Sequence, residues 1–265
     1  MKRRWLRILV TLGIAVVVCA FYAWFFGFQT VMVLETRWIA HRAPVVKETP
    51  RALKDTSISP VPGTKLSYLG YDFEVPWDDL DSSKTRSSAH HVLLAFRSGK
   101  TIMFSCGEPR EFVNLVLQHW EADQFRRLYG ETPLQSDYAM HRLIEEATPD
   151  KVTLLTPRKE MIGTSLLLTI KAMALPEAPI YNVQTKDFRG FQYGDPQGRP
   201  RFVEAELFAD DSGVYFLFLG QGKGNPFAIS QPEINRVVQS VHRTAEGLSN
   251  SGSSRKPLAK VKYAP

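Results

Sequence analysis

The sequence predicts an α+β protein: one N-terminal transmembrane helix, then an antiparallel sheet covered by helices. Three observations carry this reading. Ile8–Leu34 contains no Lys, Arg, Asp, Glu or His. Short alternating segments with the periodicity of strands occur at 65–105 and again at 180–219. Between them, 108–175 has helical spacing and helix-start residues.

The anchor comes first. A helix rises about 1.5 Å per residue, so Ile8–Leu34 reaches roughly 40 Å against a hydrocarbon core of about 30 Å. Its first half is mostly aliphatic. Its second half carries Phe21, Tyr22, Trp24, Phe25, Phe26 and Phe28, and Trp5 and Trp38 bracket it, as interfacial aromatic belts do. Lys2, Arg3, Arg4 and Arg7 form a dense basic head over 1–7. Such a head stays cytoplasmic, so the single pass exports the bulk of the chain. Val18-Cys19-Ala20 resembles a cleavage site, but the apolar run continues well past Ala20, which predicts a retained anchor. Cys19 reads as a small apolar helix residue.

Composition sets bounds. At 44% hydrophobic residues there is enough apolar material for a packed core. The net charge of +6 is concentrated at the two ends, in the head and in Arg255, Lys256, Lys260 and Lys262. The part between is slightly acidic, which argues against nucleic acid as a partner. Only Cys106 lies outside the anchor, so no intrachain disulfide and no Cys-x-x-Cys pair is expected.

Residues 35–63, with Pro44, Pro50, Pro60 and Pro62, read as a Pro-rich linker, and 64–246 as one extracytoplasmic domain. Within it, 65–75 reads as a strand ended by Pro76. His91–Phe96 and Thr101–Ser105 read as a hairpin about Ser98-Gly99. Phe112, Leu115, Val116 and His119/Trp120 fall at helical spacing, and Gly130 ends the continuation. Thr132-Pro133, Thr148-Pro149 and Thr156-Pro157 each predict a helix start, the first with a capping box to Gln135. The last helix, from Pro157 to about Leu175, is too short to span a bilayer and reads as a buried core helix despite Lys171.

Strands return at Ile180–Gln184, Phe188–Tyr193, Arg201–Ala209 and Val214–Leu219, with a turn at Asp210–Gly213. The last strand is apolar on both faces and so should be central. A helix from Gln231 through His242 buries Ile234, Val237, Val238 and Val241. The basic tail 247–265 has a disordered composition.

Phe188-Arg189-Gly190-Phe191, the two long strands after it, and a closing helix ending Val237-Val238-Gln239-Ser240-Val241 resemble the C-terminal half of PsbP-like α/β sandwich domains. Residues 65–75 resemble their opening strand. The resemblance covers about a third of the chain, as a pattern of elements. It implies a binding or assembly role, since members of that superfamily are mostly such factors.

No constellation announces a metal, cofactor or reaction. Gly220–Asn225 follows a strand and precedes a helix. However, Asn225 stands where a dinucleotide fingerprint has its third glycine, and Gly224 where a P-loop has Ser or Thr. It reads as a connection able to touch a partner. His90 and His91 point to opposite faces of a strand. His141 and Glu145, at i,i+4, read as a solvated helix pair. Asp78, Asp79 and Asp81 lack the Gly and Glu of a calcium loop.

Cys106 is the sharpest catalytic candidate. It lies just before a helix start, where a thiol pKa falls, and it would use His119 or His141 as its base. The sequence thus predicts a membrane-anchored, extracytoplasmic binding or assembly module. Its partners would be the bilayer, through 8–34, and another envelope protein. The alternative is an envelope thiol enzyme or hydrolase using Cys106 with a histidine.

Overall fold

The computed structural model describes residues 2–198, 201–209, 212–219 and 228–244. The Gly220–Asn225 loop, the Asp210-Asp211 turn and the tail 247–265 lie outside them. The chain is mixed α+β, with an eight-stranded and a three-stranded sheet among the described residues. It divides into two units: Met1–Ala52 with Glu108–Asn182, and Leu53–Gly107 with Val183–Pro265. Residues 64–246, expected as one domain, draw on both units.

In the first unit, α1 runs from Lys2 to Arg42 without a break. Among the described residues it is the one helix long and apolar enough to cross a membrane. Its aromatic residues pair at i,i+4: the Phe21 and Phe25 rings lie 4.4 Å apart and Tyr22 and Phe26 5.6 Å. Leu12 through Leu34 are largely exposed, whereas Thr36, Ile39 and Ala40 are buried. A 3-10 turn, Pro44–Lys47, then buries Val45 and Val46. Strand β1 (Arg51–Ala52) pairs in parallel with β7 (Ile180–Gln184), a parallel pair in a sheet expected to be antiparallel.

The remaining helices of this unit are α2 (Glu111–His119), α3 (Ala122–Tyr129), α4 (Asp137–Glu145) and α5 (Arg158–Ala174). Only the third of the three Thr-Pro pairs opens an α-helix. The other two give 3-10 turns, Thr132–Leu134 and Pro149–Lys151. Proline presets one helical turn, but extended backbone at Ser136 and at Val152 ends it. The N-cap of α4 is Ser136, whose side chain accepts from the Ala139 amide.

In the second unit, 65–75 is two strands. β2 (Thr64–Tyr68) and β3 (Tyr71–Val75) form a hairpin. Leu69 and Gly70 make its two-residue turn at φ 55° and 81°, as a primed turn requires. Leucine is disfavoured at positive φ, which is why the sequence hid this turn.

Strands β4 (Arg86–Ser87), β5 (His91–Ala95) and β6 (Thr101–Gly107) form a meander. β8 (Arg189–Tyr193), β9 (Phe202–Ala209) and β10 (Ser212–Leu219) complete the strands of the larger sheet. β10 is central, paired with β9 on one side and β6 on the other. Phe73, Phe104 and Phe216 meet at ring distances of 4.8–5.3 Å in the core. α6 (Gln231–Ser240) adds Ile234, Val237 and Val238. His242, expected in that helix, lies in β11 (His242–Arg243), which pairs with β3.

Residues 35–63 are not an extended spacer. Up to Ala52 they belong to the first unit. Beyond it, Asn235 donates to the carbonyls of Asp55 and Ser57, and Arg236 to that of Ser59. The prolines do favour extended backbone. Hydrogen bonds from α6 then hold that backbone in place.

Candidate functional site

The helical unit is built around long-range caps. Arg110 precedes α2 at φ 61° and offers no side-chain cap. The cap comes from Asp137, in the first turn of α4, whose carboxylate accepts from the Val113 amide at 2.9 Å. Burial pushes the Asp137 pKa up, against these amide bonds. Tyr129 ends α3, and its hydroxyl donates to the Gly163 carbonyl at 2.5 Å. The ring packs close on Gly163, since a Cβ there would lie 3.2 Å from it and the ring would have to give by a few tenths of an ångström.

Lys171 is the polar centre of this unit. It is fully buried in α5, and its Nζ donates to the carbonyls of Glu48 (2.5 Å), Glu145 (2.7 Å) and Ala147 (3.0 Å). One ammonium thus uses its three protons to tie α5, the end of α4 and the segment after α1. Burial lowers its pKa to about 8, opposed by the charges of Glu145 and Glu48. The sequence showed Lys171 only as a break in an apolar run.

The pair His141 and Glu145 is not solvated: both side chains are buried, with Nδ1 3.7 Å from the carboxylate. Phe112 stacks on the His141 ring at 3.8 Å. Burial drives the His141 pKa down to about 3, so the ring is neutral at ordinary pH. A wholly polar rim around position 141 would have kept it in solvent. Phe112 and the apolar face of α4 enclose it.

Phe112 also lines a groove of about 190 Å³ with Leu115, Val116 and Trp120 from the α2 side and Ile170 and Met173 from α5. His119 stands on its lining as well, beside Trp120 at 5.9 Å. The lining is almost wholly apolar. Met173 is 77% exposed and Leu115 49%, so the apolar surface continues out of the groove. Helical spacing flagged Phe112, Leu115, Val116 and Trp120. Met173 carries no sequence signal, because an exposed Met at the end of a core helix looks like core.

Cys106 belongs to the second unit and the two candidate histidines to the first. Its Sγ points to the Leu69 carbonyl at 3.9 Å. Burial pushes the thiol up to about 12, and the nearby Arg243 charge only partly opposes this. A thiol so held is protonated at neutral pH and is a poor nucleophile. The helix after Cys106 begins only at Glu111, in the first unit.

No family model matches the chain, and neither a curated protein nor a solved structure matches it.

Proposed function

We propose that this chain is a single-pass, membrane-anchored binding module of the cell envelope that holds an apolar segment of another envelope protein in the α2–α5 groove. The groove itself carries the reading: an apolar hollow continuous with exposed Leu115 and Met173, on the unit that also contains α1. An apolar side chain entering it gains roughly 2 kcal/mol from burial, and an amphipathic helix offering several gains more. The basic head supports a cytoplasmic N-terminus, with the chain beyond α1 outside the cytoplasm. The PsbP-like resemblance supports a binding role in the same way.

The test is site-specific photo-crosslinking in native membranes. A crosslinker at Met173 captures a discrete neighbour, one at the exposed Ser82 does not, and Leu115→Asp abolishes the Met173 adduct. Equal capture at both positions, or an adduct indifferent to Leu115→Asp, overturns the reading.

A further inference from the structure

The connection between the Pro149–Lys151 turn and α5 carries Leu154 and Leu155. They are 41% and 87% exposed. They occupy the two central positions of a turn closed by the Thr156 amide on the Thr153 carbonyl at 3.1 Å. Gly, Asn, Asp and Pro suit such positions; two leucines there gain nothing from water.

The turn is otherwise self-contained. Thr156 Oγ1 accepts from the Thr153 amide (2.9 Å) and donates to the Lys151 carbonyl (3.1 Å). The hydroxyls of Thr153 and Thr156 lie 3.0 Å apart. The amides of Thr153 and Thr156 and the carbonyls of Lys151 and Thr153 already have partners, which lowers the polar loss of moving the tip into the interfacial zone, where headgroups and water can serve the backbone of the two leucines.

The direction of α5 sets the level of this turn relative to α1. The Arg158 guanidinium lies 4.9 Å from the Phe28 ring, whereas Lys171 reaches the Glu48 carbonyl beyond the end of α1. α5 therefore runs alongside α1 in the same direction, and the residues before Arg158 lie toward the apolar part of α1. The Pro149–Lys151 turn packs against α1 as well. Phe28 precedes Glu35, the first charge after the apolar run, by roughly 10 Å of helix rise. The leucine tip thus hangs beside hydrophobic helix, below the level where the charges of α1 begin. Lys151, Arg158 and Lys159 flank the tip in the chain, on stems long enough to carry their charges toward headgroups.

We propose that Thr153–Thr156 is a second membrane contact, its Leu154 and Leu155 seated in the headgroup–acyl boundary next to α1. The contact fixes the helical unit against the bilayer, so that the groove at the far end of α5 is held at a set height. It rests on α1 spanning the membrane but not on the groove having a partner.

Spin-label accessibility tests it on the full chain, with Cys19→Ala and Cys106→Ala, in phosphatidylcholine–phosphatidylglycerol vesicles. Single cysteines go at Leu155, at Val17 inside α1 and at Ser82 as the aqueous reference. We expect the label at 155 to favour oxygen over a water-soluble nickel chelate at least about fivefold relative to Ser82. A label at 155 that matches Ser82 while the one at 17 reads lipid overturns this contact alone. An aqueous reading at 17 overturns the anchor and the contact together. Exposure at 155 in vesicles with protection in native membranes also overturns it, in favour of a protein partner. Because Leu155 is almost fully exposed, the label does not disturb the packing. An unchanged melting temperature confirms that for each variant.

Discussion

The indole Nε1 of Trp77 donates to Glu233 Oε1 at 2.7 Å, joining residues 156 positions apart. Lys100 Nζ donates to the same oxygen at 3.1 Å and lies 4.8 Å from the Trp77 ring. The second oxygen accepts from the Ser230 amide and hydroxyl, closing the capping box of α6. One carboxylate therefore caps a helix and ties it to β3's exit and to the hairpin turn before β6.

Glu233→Ala removes all four bonds and leaves the indole N–H and the Ser230 amide unpartnered. The expected loss is about 2–4 kcal/mol, read from denaturant unfolding. Burial of Glu233 works against its charge, but the bonds from Ser230, Trp77 and Lys100 outweigh it and hold the pKa below its ordinary 4.5. The contribution is complete above that value and disappears as pH falls through the lower folded value. An alanine variant as stable as the parent at pH 7 contradicts this account.

Gly190 in β8 allows a close backbone approach. A Cβ there would lie 1.8 Å from the Glu206 carbonyl oxygen and 2.8 Å from its carbon, both backbone atoms of β9. Backbone in a paired sheet cannot step aside as a flexible side chain can. Gly190→Ala is expected to lower the melting temperature by more than about 10 °C or to prevent folding, whereas Gly198→Ala, whose Cβ would meet the Asp195 Cβ at an ordinary 3.9 Å, is nearly neutral.

His141 gives the helical unit an acid sensitivity. Its folded pKa, about 3, lies below the ordinary 6.5, so between these values the unfolded chain binds the extra proton. Stability is complete above pH 6.5 and falls as the pH drops, by roughly 2 kcal/mol at pH 5. Glu145, 3.7 Å away, faces it on the same helix. Burial also pushes up the Asp137 and Glu204 carboxyls, so the share of the imidazole is read by comparison with a variant that lacks it. His141→Phe preserves a flat ring against Phe112 and should flatten stability between pH 5 and 6.5. The readout is the difference in slope, measured by thermal melts in detergent.

Cys106 is expected to be inert. With its thiol pKa near 12 against an ordinary 9, the thiolate fraction at pH 8 is at least about 100-fold below that of a free thiol. Iodoacetamide should modify it only after unfolding, and Cys106→Ser should leave the groove crosslink intact. Rapid alkylation of the folded chain would reopen the thiol-enzyme reading.

Much of this architecture was legible because local patterns agreed with the tertiary outcome. The charge-free run of α1, the hairpin about Ser98-Gly99, central β10 and the stripe Ile234, Val237, Val238 and Val241 each carry their own periodicity. The features that stayed hidden depend on distant partners. Asp137 caps a helix that begins 26 positions before it, and Asn235 secures carbonyls of 55 and 57. A leucine at positive φ masked the Leu69-Gly70 turn. The groove was half legible: α2 displayed its apolar face, but its complement on α5 is decided by packing that no local pattern encodes. The burial of His141 was hidden for the same reason.

Lys171 acts with the same sign as His141, in a higher pH window. Its pKa of about 8 lies below the ordinary 10.5, so from pH 8 upward the unfolded chain holds the proton that the folded one releases. Stability should therefore rise with pH over this window. Cys106 sets the upper limit of a clean reading: above about pH 9 its thiol ionises in the unfolded chain but not in the folded one, and stability falls. Between pH 8 and 9 the lysine dominates. Lys171→Met matches the length of the stem but strands the carbonyls of Glu48, Glu145 and Ala147. The loss expected at pH 7 is about 2–4 kcal/mol, offset in part because a buried charge is removed. The rise between pH 8 and 9 should vanish with it. Hydrogen exchange adds a local readout. If the ammonium joins the segment after α1 to the end of α4, amides at 45–52 and 144–147 lose protection together in the variant, while those of β9 and β10 keep theirs. Loss confined to α5 would mean that the three bonds do not link these segments.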